Sequence, residues 1–576
     1  MRTLSGWDRL RKKSPMQRLV LLLLCVLPVS AQTAKPEELS SLEGRVLNAT
    51  SGEPVGKVNL RLVRIRSTPG PDDWLLDYST ASDSTGKFVI ANIEPGRYRL
   101  RASRNGFMNL EYGAHGSQTA GAMLDLERPQ QMKDIELRLT PYGVLTGRIV
   151  DADGEPVEGA EVQFLRSQYV NGKKVLAAMD QASTNDLGEY RKYGLSPGKY
   201  YVYAQDSWGS PTLSKDKEQY VPVYYPGVTD PAGAIAIDVA SGAQTSAGNM
   251  MLRKAPTVRL KGKVVVELTE TVGLPSVTFN QRIGHDSRRA GHDWMAQAKV
   301  STAGEFEVRG LTPGSYTAMA AIGKAGIWRT SPTINVEVGA TNMEGLVLTI
   351  GNYFSAPGRI RVEGDAALDM KSVRVHEKLA GPSAEADSQD PGDRVAADGA
   401  FELDNLLPDR YGVVVSGLPE GFYIKSIRAG ETDITYSGFE LKDGPPGRID
   451  ILVSPKAATV SGVVQIPDSD KTAVGAIVVL VPNEKERAQI AEFYRHSTTD
   501  QFGRFEFKSV APGEYKLYAW EDVESTAWMD PDFMKPLEGM GEPVTVDESD
   551  RASVQVNLIP AESGKDKATT AGKAQP

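Results

Sequence analysis

Cysteine is nearly absent from this sequence. Cys25 is the only one among 576 residues, and a disulfide or a thiolate metal site needs two or more thiols. Histidine is also scarce, with five residues, and none is followed three positions later by the glutamate of a His-x-x-Glu zinc pair. The sequence therefore predicts no disulfide, no metal site and no bound cofactor.

Motifs that carry catalysis are missing as well. We find neither a Gly-x-Ser-x-Gly nucleophile elbow nor a glycine-rich phosphate loop ending in Lys-Ser or Lys-Thr. A basic stripe is also missing, and the formal net charge at pH 7 is −9. An acidic chain is a poor partner for nucleic acid. We therefore expect a protein that is not an enzyme and does not bind nucleic acid.

Long hydrophobic runs are confined to the N-terminal region. The apolar run at 19–29 follows a basic stretch and is succeeded by small residues ending at Ala31. It is too short to span a bilayer comfortably, so this pattern predicts a signal peptide over residues 1–31. We expect export to the periplasm, the cell envelope or the outside, with no membrane insertion after cleavage.

What the sequence has in abundance is glycine and proline, with 56 and 35 residues, as turn-rich β-proteins do. A motif occurs five times with invariant spacing: glycine, an aromatic at plus two, an aliphatic at plus seven, proline at plus nine and tyrosine at plus twelve. Its copies are Gly86-Phe88-Ile93-Pro95-Tyr98, Gly188-Tyr190-Leu195-Pro197-Tyr200, Gly304-Phe306-Leu311-Pro313-Tyr316, Gly399-Phe401-Leu406-Pro408-Tyr411 and Gly503-Phe505-Val510-Pro512-Tyr515. Such a repeat indicates tandem copies of one module.

A second glycine precedes each copy by 41 or 42 residues: Gly44, Gly147, Gly262, Gly358 and Gly462. Between the two marks, apolar and polar residues alternate with the period of a half-buried strand. We therefore predict an all-β protein of five tandem antiparallel β-sandwiches. The predicted divisions are a linker at 32–41, modules at 42–140, 141–255, 256–350, 351–455 and 456–560, and a disordered tail at 561–576.

The repeated residues have mainly structural interpretations. Pro-Gly at 95–96, 197–198, 313–314 and 512–513 favours a type II turn. The tyrosine that follows is expected to pack inward and to bond its hydroxyl to nearby backbone, as in a tyrosine corner. Helical periodicity is weak everywhere, and the best candidate for a short helix is 483–494, with Asn483 as its cap.

The order of these motifs resembles carboxypeptidase regulatory-like domains, which are grouped with transthyretin-like and collagen-adhesin B-type modules among the prealbumin-like sandwiches. The second copy shows the resemblance best, in Gly147-Arg148-Ile149-Val150, Pro156-Val157-Glu158-Gly159-Ala160-Glu161-Val162 and Leu195-Ser196-Pro197-Gly198. It extends over residues 42 to about 560 and implies a multi-repeat secreted bacterial protein with a prealbumin-like fold.

Adhesin-type modules often carry a Lys–Asn isopeptide bond that needs a catalytic glutamate. Four residues after each motif tyrosine, where that glutamate is expected, this chain has Ala102, Ala204, Ala320, Val415 and Ala519. An apolar side chain cannot shuttle a proton, so we expect no intramolecular crosslink. This departure argues against a tensile pilus role.

Since no catalytic motif was found, we expect the function of this protein to depend on binding surfaces. The second module carries an aromatic-rich insertion whose rings are Trp208, Tyr220, Tyr224 and Tyr225, and the fifth carries Trp520 and Trp528. Exposed rings bind sugars or proteins, whereas buried rings would only pack a module edge or join neighbouring modules. Three functions stay open: a non-catalytic binding protein for carbohydrate or a cell-envelope protein, an adhesion or spacer scaffold at the cell surface, and an accessory subunit of a separate hydrolase or peptidase.

Overall fold

The structure is a computed structural model that describes residues 39–65, 77–115, 120–206, 218–268, 273–282, 295–324, 327–379, 393–442, 444 and 447–561. The predicted signal peptide, most of the linker, and residues 562–576 of the predicted tail lie outside the described residues. These three assignments therefore stay predictions. None of the helices among the described residues combines the length and apolar character needed to span a bilayer.

The described strands fall into five successive groups. The first group is β1 Ser40–Asn48, β2 Asn59–Arg64, β3 Tyr78–Ala81, β4 Lys87–Ile93, β5 Arg97–Ser103, β6 Leu110–Glu111, β7 Leu124–Asp125 and β8 Gln131–Leu139. The second is β9 Gly143–Val150, β10 Glu161–Val170, β11 Lys173–Ser183, β12 Glu189–Leu195, β13 Gly198–Gln205, β14 Glu218–Val221, β15 Val223–Tyr224, β16 Ile237–Val239, β17 Gln244–Met251 and β18 Arg253–Pro256.

The remaining groups follow the same plan. The third is β19 Val258–Val266, β20 Ser276–Gln281, β21 Met295–Lys299, β22 Glu305–Leu311, β23 Gly314–Lys324, β24 Ile327–Thr330, β25 Ile334–Val338 and β26 Met343–Ile350. The fourth is β27 Phe354–Val362, β28 Arg374–Leu379, β29 Asp393–Arg394, β30 Ala400–Leu406, β31 Arg410–Ser416, β32 Tyr423–Ala429, β33 Thr432–Asp433, β34 Phe439–Glu440 and β35 Ile449–Ser454. The fifth is β36 Ala458–Gln465, β37 Ile477–Pro482, β38 Arg495–Thr498, β39 Arg504–Val510, β40 Gly513–Trp520, β41 Glu542–Val546 and β42 Arg551–Ile559.

Helix in the described part of the chain is limited to segments of three to six residues. The fifth group contains α1 at Pro531–Met534, and the 3-10 turns are Pro231–Gly233, Met370–Ser372, Arg487–Gln489, Ala491–Phe493, Ala527–Met529 and Lys535–Met540. The short helix expected at 483–494 is wrong, because only two 3-10 turns form there. Asn483 does not cap them, since its side chain donates to the Glu514 carboxylate.

Each group folds as a β-sandwich, so the predicted all-β fold is confirmed. In the first module, β1 lies between β4 and β8 in one sheet, and β2 and β5 pair in the other. One detail differs from a purely antiparallel sandwich, because β1 pairs with β8 in parallel. The parallel pair recurs in every module, between β9 and β17, β19 and β26, β27 and β35, and β36 and β42. The chain crosses to the second sheet before its last strand returns, so this strand runs in the same direction as the first.

Five separate hydrophobic cores hold these sandwiches together. They comprise buried residues from 42–139, 145–252, 258–350, 356–453 and 458–556. Each core therefore draws its residues from a single predicted module. The motif aromatics, aliphatics and tyrosines are all buried in these cores, as expected.

The glycine near the start of each module and the aromatic residue of the motif lie opposite each other on neighbouring strands. Gly44 lies opposite Phe88 in the antiparallel pair of β1 and β4, and the same pairing recurs in the other copies: Gly147 with Tyr190, Gly262 with Phe306, Gly358 with Phe401 and Gly462 with Phe505. The aromatic ring covers the glycine so closely that a Cβ on Gly358 would lie 2.1 Å from the Phe401 ring. The spacing of 41 or 42 residues is therefore the register of this strand pair.

All five tyrosine corners form. Each hydroxyl donates to the backbone carbonyl four residues earlier, at 2.8 to 3.0 Å: Tyr98 to Glu94, Tyr200 to Ser196, Tyr316 to Thr312, Tyr411 to Leu407 and Tyr515 to Ala511. The preceding turn differs from the type II prediction, because the glycine φ values of +137° to +159° exceed the +80° that this turn requires. The backbone instead pairs with a neighbouring segment, as between Gly96 and Leu126.

The fifth module contacts three others. Gln501 exchanges two hydrogen bonds with the backbone of Asp125 in the first module, at 2.7 and 2.9 Å. Phe533 packs edge-on against Tyr169 of the second module, with ring centroids 5.9 Å apart. Arg487 donates to the Tyr436 hydroxyl of the fourth module at 3.1 Å. The first and last modules thus meet, although the sequence separates them by three others.

Candidate functional site

The aromatic insertion of the second module is the site that the sequence predicted. Trp208 lies outside the described residues. Tyr220 is half-buried in β14, with the Lys254 ammonium 4.9 Å from its ring centroid. Tyr225 is half-buried and packs against the module core. These two rings have accessible surface and remain candidates for binding a ligand.

Tyr224 has a different environment. It is only 3% exposed, and it packs with Leu165 and Tyr203 in a small cluster outside the main core. The Tyr203 and Tyr224 ring centroids lie 5.0 Å apart. A ring buried in this way has no free face for a sugar, so Tyr224 contributes to packing. Removal of this ring is therefore expected to lower the melting temperature.

The tryptophans of the fifth module are also structural. Trp520 and Trp528 are buried together with Tyr518 and Leu537 in a second cluster of that module. The segment after β40 folds back over the outer face of the sheet and covers it. Tyr169 of the second module packs against the edge of this cluster. Of the two interpretations for these rings, burial that joins modules is the one that the structure supports.

A polar crevice lies beside Tyr220, at the junction of the second and third modules. Its wall combines Tyr220 and Pro222 with three amides, Gln205, Gln219 and Gln281. The volume is about 20 Å³, which admits one hydroxyl or water-sized group. The Gln219 Nε2 and the Gln281 Oε1 are both buried without a hydrogen-bond partner within the described part of the chain. The crevice therefore offers one donor and one acceptor next to an aromatic ring.

Neighbouring bonds hold the third amide of the crevice in place. The Gln205 Nε2 donates to Glu161 at 3.0 Å, and its Oε1 accepts from the Tyr203 hydroxyl at 3.2 Å. Burial raises the pKa of the Tyr220 hydroxyl, and the Lys254 ammonium opposes this rise. The Tyr220 phenol is therefore neutral at physiological pH and can donate or accept a hydrogen bond.

Sequence reasoning missed the glutamines of this crevice. Gln219 adjoins the predicted Tyr220, so the aromatic insertion pointed to its neighbourhood. Gln281 ends β20 in the next module, and no local pattern connects it with Tyr220. Sequence reasoning also gave no sign that Trp328 of the third module would be 61% exposed.

Within the described ranges, no three His, Cys, Asp or Glu side chains come together as a metal-binding group. Two of the five histidines, His285 and His292, lie outside these ranges. The positions where an isopeptide catalyst would be expected are apolar and lie in or beside the module cores, as Ala102 and Val415 show.

Comparison with known proteins supports the family resemblance. The family model described as carboxypeptidase regulatory-like domain matches residues 41–127. The first module is therefore similar to this family over the matched residues, and the expected resemblance is confirmed. No curated protein matches this chain.

The solved structures that are similar to this chain include two pilins and one smaller protein. A minor pilin of Streptococcus agalactiae is 15% identical, with a TM-score of 0.22, and covers 38% of this chain and 97% of its own. A streptococcal ancillary pilin is 12% identical, with a TM-score of 0.19, and covers 54% and 99%. A Pseudomonas aeruginosa protein described as a carbohydrate-binding candidate is 13% identical, with a TM-score of 0.12, and covers 16% and 87%. At this similarity, these structures say nothing about what the present chain binds.

Proposed function

We propose that this chain is an exported, non-catalytic binding protein whose ligand is carbohydrate, bound at the junction of its second and third modules. The observation that carries the proposal is the crevice beside Tyr220, where an unpartnered amide donor and an unpartnered amide acceptor are buried together. A buried amide without a partner costs free energy. A sugar hydroxyl that accepts from Gln219 and donates to Gln281 would relieve both costs.

The ring of Tyr220 supplies the second element of sugar recognition. Aromatic faces stack on the apolar faces of sugar rings and lose little conformational entropy on binding. The crevice itself accommodates only a hydroxyl-sized group, so the body of the sugar would lie on the rim, against Tyr220. Asp206 also lines the crevice, and a carboxylate can accept a hydrogen bond from a sugar hydroxyl.

An adhesion scaffold is the second candidate function, and one observation bears on its form. The first and fifth modules share hydrogen bonds between Gln501 and Asp125. A chain closed on itself in this way presents several surfaces together, and it is a poor tensile spacer. We therefore favour a compact binding scaffold over an extended stalk.

A retention assay tests the proposal. It measures how much of the protein, beginning at residue 32, is held on insoluble polysaccharides and on cell-wall material. Tyr220→Ala and Gln281→Ala should each weaken retention at least about tenfold, as loss of a stacking ring or an amide bond implies. Tyr193→Ala is the matched control, because Tyr193 is 71% exposed in the same module and distant in sequence from the insertion.

Thermal melting separates binding from folding in these variants. Tyr220→Ala and Gln281→Ala should melt close to the unsubstituted protein, whereas Tyr224→Ala should melt early because its ring is buried. A protein that is retained on none of these materials, or variants that bind equally well, would leave carbohydrate recognition at this junction without support.

A further inference from the structure

A second, much larger cavity lies where the fourth module meets the fifth. Its volume is about 410 Å³, within the range of roughly 300 to 1,000 Å³ that is typical of small-molecule sites. Val413 and Val415 of β31 line it on one sheet of the fourth module, and Ile424 and Ile427 of β32 line it on the other. Phe493 and Tyr515 of the fifth module close it. The cavity therefore lies where the two sheets of the fourth module separate, and the fifth module covers it.

Comparison among the five modules shows that this opening is special to the fourth. Val413 lies two residues after its motif tyrosine, and the equivalent residues Leu100, Val202, Ala318 and Leu517 are fully buried. Val415 lies four residues after it, where the other modules have buried alanines. Both valines are only half-buried. Since four copies of the same fold close this face, the accessible apolar wall is not a consequence of the fold itself.

Two charged residues, Arg495 and Glu492, line this largely apolar cavity. Arg495, the first residue of β38, is half-buried and lines the cavity. Its Nη1 donates to the backbone carbonyls of Glu492 and Tyr494. The Glu492 carboxylate is 3.0 Å from the Lys378 ammonium instead. Among the residues that the structure describes, none places a carboxylate within 4.0 Å of the Arg495 guanidinium.

The environment of Arg495 favours an anionic partner. Desolvation by burial lowers the pKa of this guanidinium, and nearby Tyr515 and Glu492 oppose that shift. A partly desolvated cation with only carbonyl partners is stabilised by a carboxylate, which a guanidinium binds in a bidentate manner. A carboxylate with an aliphatic chain would match both the charge and the apolar walls.

We propose that the cavity between the fourth and fifth modules binds an aliphatic carboxylate, with the chain between β31 and β32 and the carboxylate on Arg495. Free fatty acids and peptides with an apolar C-terminal residue share this chemistry. Burial of the chain supplies affinity, and Arg495 selects the head group. This site is distant in sequence from the proposed carbohydrate site, so each can fail without the other.

Isothermal titration calorimetry of the protein beginning at residue 32 tests the head group and the source. Decanoate, kept below its micellar concentration, should bind with one-to-one stoichiometry. Decanol, which has the same chain without the charge, should bind at least about tenfold more weakly, the effect of losing one charge-assisted bond. N-acetyl-alanyl-leucine is the peptide probe, and tighter binding of this probe than of decanoate would identify a peptide terminus as the source.

Three variants locate the site. Arg495→Gln should weaken decanoate binding at least about tenfold and leave decanol binding unchanged. Val413→Phe fills the cavity and should abolish binding of both. Arg504→Gln is the matched control, because Arg504 is an exposed arginine of the same module that stacks on Phe502. Melting curves verify that each variant is folded.

Two results would overturn the proposal. One is that neither decanoate nor the peptide binds the unsubstituted protein. The other is that folded Arg495→Gln binds decanoate as tightly as Arg504→Gln does. If Val413→Phe does not fold, the comparison between the two arginine variants still decides the outcome.

Discussion

At the scale of single residues, the tyrosine corner is the most repeated interaction in this protein. Each buried ring fills a module core, and each hydroxyl satisfies a carbonyl that would otherwise lie unpaired near the end of a strand. Burial accordingly raises the pKa of Tyr98, Tyr316 and Tyr411 to about 12. These hydroxyls remain donors throughout the physiological range.

Two variants at the tyrosine corner of the third module separate the contribution of the ring from that of the hydroxyl. Tyr316→Phe keeps the ring but removes the hydroxyl, which donates to the Thr312 carbonyl at 2.9 Å and lies 3.1 Å from the Thr312 hydroxyl, and it should cost about 1 to 2 kcal/mol. Tyr316→Ala also removes a fully buried ring and should cost about 3 to 5 kcal/mol. Hydrogen exchange of β23 amides measures the local opening free energy. An unchanged opening free energy in Tyr316→Phe would contradict a role for the hydroxyl.

The residue scale also shows where sequence reasoning ends. Tyr98 and its equivalents were predictable, because a fixed motif and an alternating strand determine which way they face. Tyr224 was not, because β15 has only two residues and such a strand has no alternation to interpret. Its burial depends on Tyr203, which belongs to a different strand of the same sheet.

At the scale of elements, each module pairs a strand glycine with an aromatic residue, and in the second to fifth modules the ring lies against that glycine. The ring fills the space that a glycine leaves in a strand, a device that also pins the register of the pair. Beside it lies a bulge at which every module uses a residue with positive φ: Asn92, Gly194, Gly310, Asn405 and Ser509. Glycine, asparagine and serine recur here because bulky residues seldom adopt this conformation.

The glycine under the ring cannot accept a side chain. A Cβ on Gly262 would lie 2.4 Å from both the Leu346 carbonyl oxygen and the Phe306 ring. Gly262→Ala should therefore destabilise the third module by about 1 to 3 kcal/mol. Gly339→Ala is the matched control, since a Cβ on Gly339 would have no other atom within 4 Å. Calorimetric melting compares the two, and an unchanged melting temperature for Gly262→Ala would refute the register explanation.

At the scale of the whole molecule, the fifth module contacts three of the other four. Its contacts with the first, second and fourth modules imply a compact particle. Small-angle scattering should give a radius of gyration near the value of about 25 Å that a compact chain of this length has. A radius roughly twice as large would show that the modules are strung out in solution.

The junction of the fourth and fifth modules should also respond to pH. Hydrogen bonds from Lys425 and Tyr423 lower the pKa of Glu548 to about 2, from an ordinary value near 4.5. A lowered pKa means that the bridge stabilises the folded protein fully above pH 4.5, and that this contribution is lost as the pH falls towards 2. The effect is modest because Glu548 is accessible to solvent.

Glu548→Gln tests this dependence. The variant should melt below the unsubstituted protein at pH 7, and the difference should shrink steadily between pH 5 and pH 3. Glu344→Gln is the control, because this exposed carboxylate is 3.9 Å from Lys261 within a single module. A difference that stays constant across this pH range would mean that the bridge does not contribute.

The amino-acid sequence by itself determined the module, its five copies and the identity of its core residues. These features depend on interactions within about a hundred residues: alternation along strands, the conformational preferences of glycine and proline, and the burial of tyrosine at a corner. Only the tertiary structure decided which rings are accessible, which amides meet beside Tyr220, and which surfaces enclose the cavity at Arg495. Those outcomes depend on side chains from different modules, and no periodicity along the chain encodes which modules touch.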